Sequence, residues 1–186
     1  MNVLYRIGAR TVFILLLGLG LAGCGDQQEL AQSLDPVAFH VSDECHVCGM
    51  VLADFPGPKG QAVEKSGVKK FCSTAEMLGW WLQPENQQRG ARLYVHDMGR
   101  TDREHPNDSH LIDAASAYYV IGTSLKVSMG VPLATFADEQ TAHGFAKAHG
   151  GRVLRLEEID QRLLQEAASM QHEDIHGDVH VDALSA

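Results

Sequence analysis

Two stretches decide how this chain folds: FCSTAEMLGW at residues 71–80 and FADEQTAHGF at residues 136–145. Each opens on an aromatic residue that suits a strand end. Each then offers a helix N-cap, Ser73 or Asp138, two positions later. Ser73 with Glu76 makes a capping box, in which each side chain reaches an otherwise unpaired amide of the first turn. Phe71, Ser73, Gly79 and Trp80 match Phe136, Asp138, Gly144 and Phe145 at identical spacing.

Working outward, residues 61–65 and 68–71 flank Ser66-Gly67 and read as a hairpin. The first helix runs to about Leu82, ahead of Pro84. Residues 91–96 (ARLYVH) read as a strand. In the second half, residues 117–122 and 125–129 are strand-like and residues 133–136 form a short strand. A helix from the Asp138 cap reaches about His149 and closes at Gly150-Gly151. Residues 152–156 alternate as a strand, and residues 157–168 are helical. The fold class is therefore α+β, with two similar ββαβ modules packed as one compact unit.

The ends of the chain differ from this middle. Arg6 and Arg10 precede an uncharged apolar run at residues 11–22, short for a membrane span. The run closes on Leu21-Ala22-Gly23-Cys24, which is similar to a bacterial lipobox. Residues 1–23 are read as a lipoprotein signal peptide, with Cys24 as the lipidated first residue of the mature protein. Residues 24–39 are a polar tether. Residues 40–168 form the domain, with modules of about 40–100 and 101–168. Residues 169–186 are an acidic tail expected to be disordered. His172, His176 and His180 recur in it at four-residue intervals, a weak metal-capture pattern in a solvated segment.

The 186 residues hold 15 Lys and Arg against 24 Asp and Glu, a formal charge of −9, and 45% are apolar. That supports a real core and argues against full disorder. The acidic balance repels phosphate backbones, so no nucleic-acid partner is expected. Four cysteines are too few for a dense disulfide scaffold. Setting aside Cys24 leaves Cys45, Cys48 and Cys72, so at least one thiol stays unpaired within the chain.

The chemistry concentrates in CHVCGM at residues 45–50. Thiolate and thioether sulfurs are soft donors that suit Cu(I) far better than hard cations. Gly49 lets the backbone fold tightly, so Cys48 and Met50 can face one ion. Met129, between Ser128 and Gly130, is the best outside donor; His46 and Cys72 are alternates. Other readings of the same cysteines stay open. Cys45 and Cys48 form a C-x-x-C pair that is similar to a dithiol redox motif. Cys45, Cys48 and Cys72 supply three of the four ligands that structural zinc takes. A Cys45–Cys48 or Cys48–Cys72 disulfide is a purely structural use. Cys72 stands directly before the helix cap, where the helix terminus favours a thiolate. Asp97 and Asp113 flank the polar loop 97–110, but nothing sets a nucleophile beside them. No phosphate-cradling glycine loop occurs, and no enzyme activity is expected.

The lipobox, Cys48-Gly49-Met50, Gly57-Pro58-Lys59-Gly60, Val95-His96-Asp97, Ile112-Asp113-Ala114, Ala117-Tyr118-Tyr119-Val120, Ser128-Met129-Gly130 and the Phe145…Gly150-Gly151 end together resemble the NosL family. The likeness spans most of residues 40–158, in order. It implies an exported lipoprotein that binds Cu(I) and delivers it to apo nitrous oxide reductase, working with that enzyme's maturation machinery. It implies a palmitate-type anchor facing the periplasm, on the outer rather than the inner membrane, and a role in denitrification. It implies a fold of two ββαβ modules. The implied copper ligands are Cys48 and Met50, with Met129 from the second module; Cys45 is less essential. A fainter likeness to YHS or TRASH metal-binding modules rests on Phe71-Cys72-Ser73. The alternative from a different class is a membrane-tethered thiol-disulfide oxidoreductase using Cys45 and Cys48.

Overall fold

The computed structural model describes residues 33–125 and 130–170. Strands β1 (Gly60–Glu64) and β2 (Gly67–Phe71) form an antiparallel hairpin that pairs Glu64 with Gly67 and Gly60 with Phe71. The turn is therefore Lys65-Ser66, one residue earlier than expected, because Gly67 already belongs to β2. Helix α1 (Thr74–Trp81) follows, with the Ser73 hydroxyl accepting from the Glu76 amide at 3.1 Å. Pro84 does not end helical structure here. It starts a short second helix, α2 (Pro84–Gln87), at a first-turn position where its missing N–H costs nothing. Strand β3 (Arg92–His96) returns antiparallel to β1, and β4 (Leu111–Asp113) pairs with β3. The first sheet has the order β2-β1-β3-β4.

The second sheet uses β5 (Tyr118–Ile121), β6 (Leu133–Phe136) and β7 (Arg152–Leu154), in the order β6-β5-β7. Helix α3 (Glu139–His149) lies between β6 and β7 in the chain, capped by Asp138, whose carboxylate accepts from the Thr141 amide at 2.8 Å. Strand, strand, helix, strand thus occurs twice in the same order, and both times the third strand pairs with the first. The matched aromatic residues touch in both halves: Phe71 and Trp80 ring centres lie 5.4 Å apart, Phe136 and Phe145 5.0 Å apart. Strand β4 departs from the expected division at residue 101, since residues 111–113 join the first sheet. The predicted strand at 125–129 falls mainly on residues 126–129, outside the described residues. The final helix, α4, covers residues 161–170 after a one-turn 3₁₀ segment (Leu156–Glu158), and Asp160 accepts from the Leu163 amide at 2.7 Å.

One apolar cluster runs through both sheets and includes Ala62, Phe71, Leu78, Val95, Tyr119 and Leu133. Phe71 and Phe136 are each essentially sealed from solvent, worth about 2–3 kcal/mol apiece from burial. The Val95-His96-Asp97 stretch fastens the halves. The Thr135 hydroxyl donates to the His96 carbonyl at 2.6 Å, Met98 N–H to Thr135 O at 2.7 Å, and the Ala137 amide to the Asp97 carboxylate at 3.2 Å.

Part of the expected tether is docked. The buried Gln61 amide group brackets Val37, accepting from its N–H at 2.9 Å and donating to its carbonyl at 2.8 Å. The Tyr94 hydroxyl donates to Leu34 O at 2.8 Å, and Phe39 N–H to Asp108 at 2.8 Å. Residues 34–39 therefore lie on the first sheet, because a buried glutamine needs backbone partners. Among the described residues no helix is long and apolar enough to cross a membrane.

Candidate metal centre

The cysteine loop is a tight turn closed on itself. Cys45 N–H donates to Met50 O at 2.8 Å, Gly49 N–H to Cys45 O at 2.8 Å, and Glu44 pairs with Val51 as an isolated bridge. Gly49 sits at φ 72°, a left-handed conformation that glycine adopts freely. His46 N–H donates to Lys70 O at 2.8 Å, and this pins the turn against the edge of β2. An ion pair from Lys70 to Asp43 secures its near side. The hairpin then carries Cys72, two residues beyond Lys70, beneath the turn.

The result is a sulfur cluster. The Sγ atoms of Cys45, Cys48 and Cys72 all lie within 4.8 Å of one another, and Cys48 and Cys72 are 3.8 Å apart. Cys45 and Cys72 are buried, whereas Cys48 is exposed. Burial opposes ionisation of Cys45, but the amides of Cys48, Cys72 and Val47 point at its sulfur and hold its pKa below the ordinary thiol value. Burial pushes the Cys72 thiol up, and negative charge on Cys45 adds to that. This reverses the expectation of a helix-favoured thiolate at Cys72. Desolvation at a position only 4% exposed outweighs the terminus of an eight-residue helix. Lys59 of the GPKG stretch lies behind the cluster, its ammonium donating to Gly57 O at 3.0 Å and also to Phe55 O. Burial lowers its pKa to about 8, while charge on Cys72 works to raise it.

The other expected ligands fall differently. His46 lies edge-on to Phe71 and Trp80, with ring centres 5.9 Å from each, and is not a member of the sulfur cluster. Burial, with help from Lys69 and Arg89, holds its pKa below the usual histidine value, against Glu64. Met50 is half-buried at the exit of the turn. Met129 and Cys24 lie outside the described residues, as do His172, His176 and His180. Gly130, which follows Met129, sits beside the first turn of α1: a β-carbon there would be 3.9 Å from a Glu76 carboxylate oxygen. The C-x-x-C pair occupies a turn and not the head of a helix, unlike the dithiol arrangement that the oxidoreductase alternative invokes.

Three soft donors with one open side fit a soft ion and offer nothing to a hard one. With metal–sulfur bonds of about 2.3 Å, sulfurs around a trigonal or tetrahedral ion stand roughly 3.8–4.0 Å apart. The Cys48–Cys72 separation of 3.8 Å already meets that spacing. Sequence reasoning found Cys48 but ranked Cys45 and Cys72 below the methionines. The turn is signalled by C-x-x-C-G, whereas the approach of Cys72 depends on hairpin register.

A profile of the NosL family matches residues 36–164. The chain belongs to the NosL family. It is 71% identical over 176 residues to the copper-binding lipoprotein NosL of Stutzerimonas stutzeri, covering 95% of this chain and 93% of that one. It is 32% identical over 149 residues to the copper-binding lipoprotein NosL of Achromobacter cycloclastes, covering 77% and 76%. Its fold is similar to the crystal structure of the copper chaperone NosL from Shewanella denitrificans. There the TM-score is 0.67 at 38% identity, over 70% of this chain and 98% of the other. As a NosL protein it has the mixed helix and antiparallel-sheet architecture of that relative.

Proposed function

We propose that this chain is an exported lipoprotein that carries Cu(I) on its cysteine turn and delivers it to apo nitrous oxide reductase during assembly of that enzyme's copper sites. The observation that carries the reading is the convergence of Cys45, Cys48 and Cys72 with only Cys48 facing solvent. The relatives' names support copper as the cargo, and their naming as lipoproteins supports an anchor at Cys24. The oxidation state follows from the donors, since thiolate and thioether sulfur favour Cu(I) over Cu(II). The reductase as recipient, its maturation machinery as partner, a periplasm-facing outer-membrane anchor and a part in denitrification follow from the family resemblance. Two ββαβ modules in one unit are supported by the duplicated strand order and the matched aromatic contacts.

In this scheme the protein is a carrier and not an enzyme. Cys48 is where copper enters and leaves. Met50 and Met129 contribute thioethers on the open side, where a recipient's ligands replace them one at a time. His46 is the reserve donor.

The test is an anaerobic Cu(I) titration of the reduced protein against a chromogenic chelator. Cys48→Ser is expected to lose nearly all binding, and Met50→Ala and Met129→Ala to weaken it. An unchanged affinity in the Cys48 variant would sink the site. Copper-loaded protein mixed with copper-depleted nitrous oxide reductase is expected to restore its absorption bands, and failure to transfer would remove the recipient from the scheme.

A further inference from the structure

We propose that the cavity between residues 39–41, residues 52–55 and the loop at 104–108 is a binding site for a small carboxylate with a compact apolar body, whose charge pairs with Lys59. The site contains none of the three clustered cysteines and does not depend on what they carry.

The cavity holds about 270 Å³. That is just below the range of about 300–1,000 Å³ typical of drug-sized ligands, and it suits a molecule of one ring or one short chain. Its walls are mainly apolar, with Phe39, Val41, Leu52, Phe55 and Pro106 among them. Val41 is 84% exposed, so apolar surface stands open beside the cavity.

Lys59 lines the same cavity yet is only 5% exposed. Its ammonium has three N–H groups. Two are spent on Gly57 O, at 3.0 Å, and on Phe55 O. Those carbonyls solvate the cation without neutralising it, and a buried charge is costly unless it is paired. The two acids around the cavity are committed elsewhere. Asp108 gives one carboxylate oxygen to the Phe39 amide at 2.8 Å and the other to the His96 ring at 3.0 Å. Glu104 pairs with Arg103 at 2.8 Å. Among the described residues no carboxylate forms an ion pair with Lys59.

These facts choose the ligand. A cation would be repelled by Lys59, and a neutral molecule would leave it unpaired. An anion gains from it, and an apolar body gains from the walls. Bracing the turn at 55–57 would explain the two carbonyl bonds, but a neutral donor would brace it without the cost of a buried charge.

The experiment is a methyl-resolved NMR titration of the full-length protein in detergent micelles, with empty micelles as the blank. Benzoate is the probe, and benzamide is its neutral counterpart of the same shape. Benzoate is expected to shift the Val41, Leu52 and Ala53 methyl signals saturably, and to bind at least about tenfold more tightly than benzamide. Lys59→Met keeps the stem and removes the charge, and it is expected to erase that preference. Ala53→Trp fills the cavity with the lysine in place, and it is expected to abolish binding of both probes. No saturable shift with benzoate, equal affinity for the two probes, shifts centred elsewhere, or a preference that survives Lys59→Met overturns the proposal. Should Lys59→Met fail to fold, the probe comparison on the native protein and the Ala53→Trp variant decide without it.

Discussion

At position 96 a histidine is folded away with both ring nitrogens in use. Nδ1 accepts from the Lys59 amide at 3.1 Å, which puts the ring proton on Nε2, 3.0 Å from an Asp108 carboxylate oxygen. Burial holds its pKa below the usual histidine value; Lys59 acts in the same direction and Asp108 opposes. The unfolded chain therefore binds a proton at this position that the folded chain resists. Stability from His96 is present above the unfolded value of about 6.5 and is lost as pH falls below it. Urea midpoints measured between pH 7.5 and 5 (about one unit either side of that value) should fall more steeply for the native protein than for His96→Gln. Equal slopes would clear His96 of the effect. Residue roles were legible in the sequence where a local motif carries them, as with the helix cap at Ser73. They were not legible for Gln61, Lys59 or Cys72. Each takes its meaning from a segment far away in the chain: Val37 for Gln61, His96 for Lys59, the turn at 45–50 for Cys72.

Among the elements, α1 has the most depending on it, because its first turn follows directly from Cys72. Ser73 supplies its cap, and Ser73→Ala should cost about 1 kcal/mol of unfolding free energy, with Ser73→Asp restoring most of it. Chemical denaturation of the three proteins checks this, and an alanine variant as stable as the parent would show that the cap is idle. Hairpins, caps and helix spans were readable because local propensity and tertiary structure agree at those places. The turn shifted by one residue since glycine serves a turn or a strand start equally well. Strand β4 escaped notice because Leu111–Asp113 is too short to show alternation, and only pairing with β3 makes it a strand. The docking of residues 34–39 was invisible for a similar reason. A polar, proline-broken segment reads as linker until a buried side chain is found to need it.

On the scale of the whole molecule, the two sheets share one core and are fastened near His96, Asp97 and Thr135. The approach of β7 to β5 is closed by Gly151, at φ 96°, where a β-carbon would lie 2.5 Å from the Ile121 carbonyl oxygen. Gly151→Ala should destabilise the protein by about 2 kcal/mol or more, since both the backbone angle and the contact are violated and the obstacle is main chain. A thermal melt tests it, and a melting temperature within a degree of the parent would refute it. The α+β character and the packing of two halves into one unit were expected from the duplicated strand–cap–helix pattern, while the residues that join the halves were not, because no local pattern encodes which faces meet.

The turn at 45–50 and the hairpin end at Cys72 approach through one backbone hydrogen bond and a gap between sulfurs. An ion spanning Cys48 and Cys72 would cross-link positions 24 residues apart in the chain. Cargo then doubles as a staple. At a free ion concentration a hundred times its dissociation constant, such a ligand adds about 2.7 kcal/mol to the folded state. If the proposed cargo binds there, the filled protein is expected to resist protease longer than the empty one, which a timed digestion with and without Cu(I) reads directly.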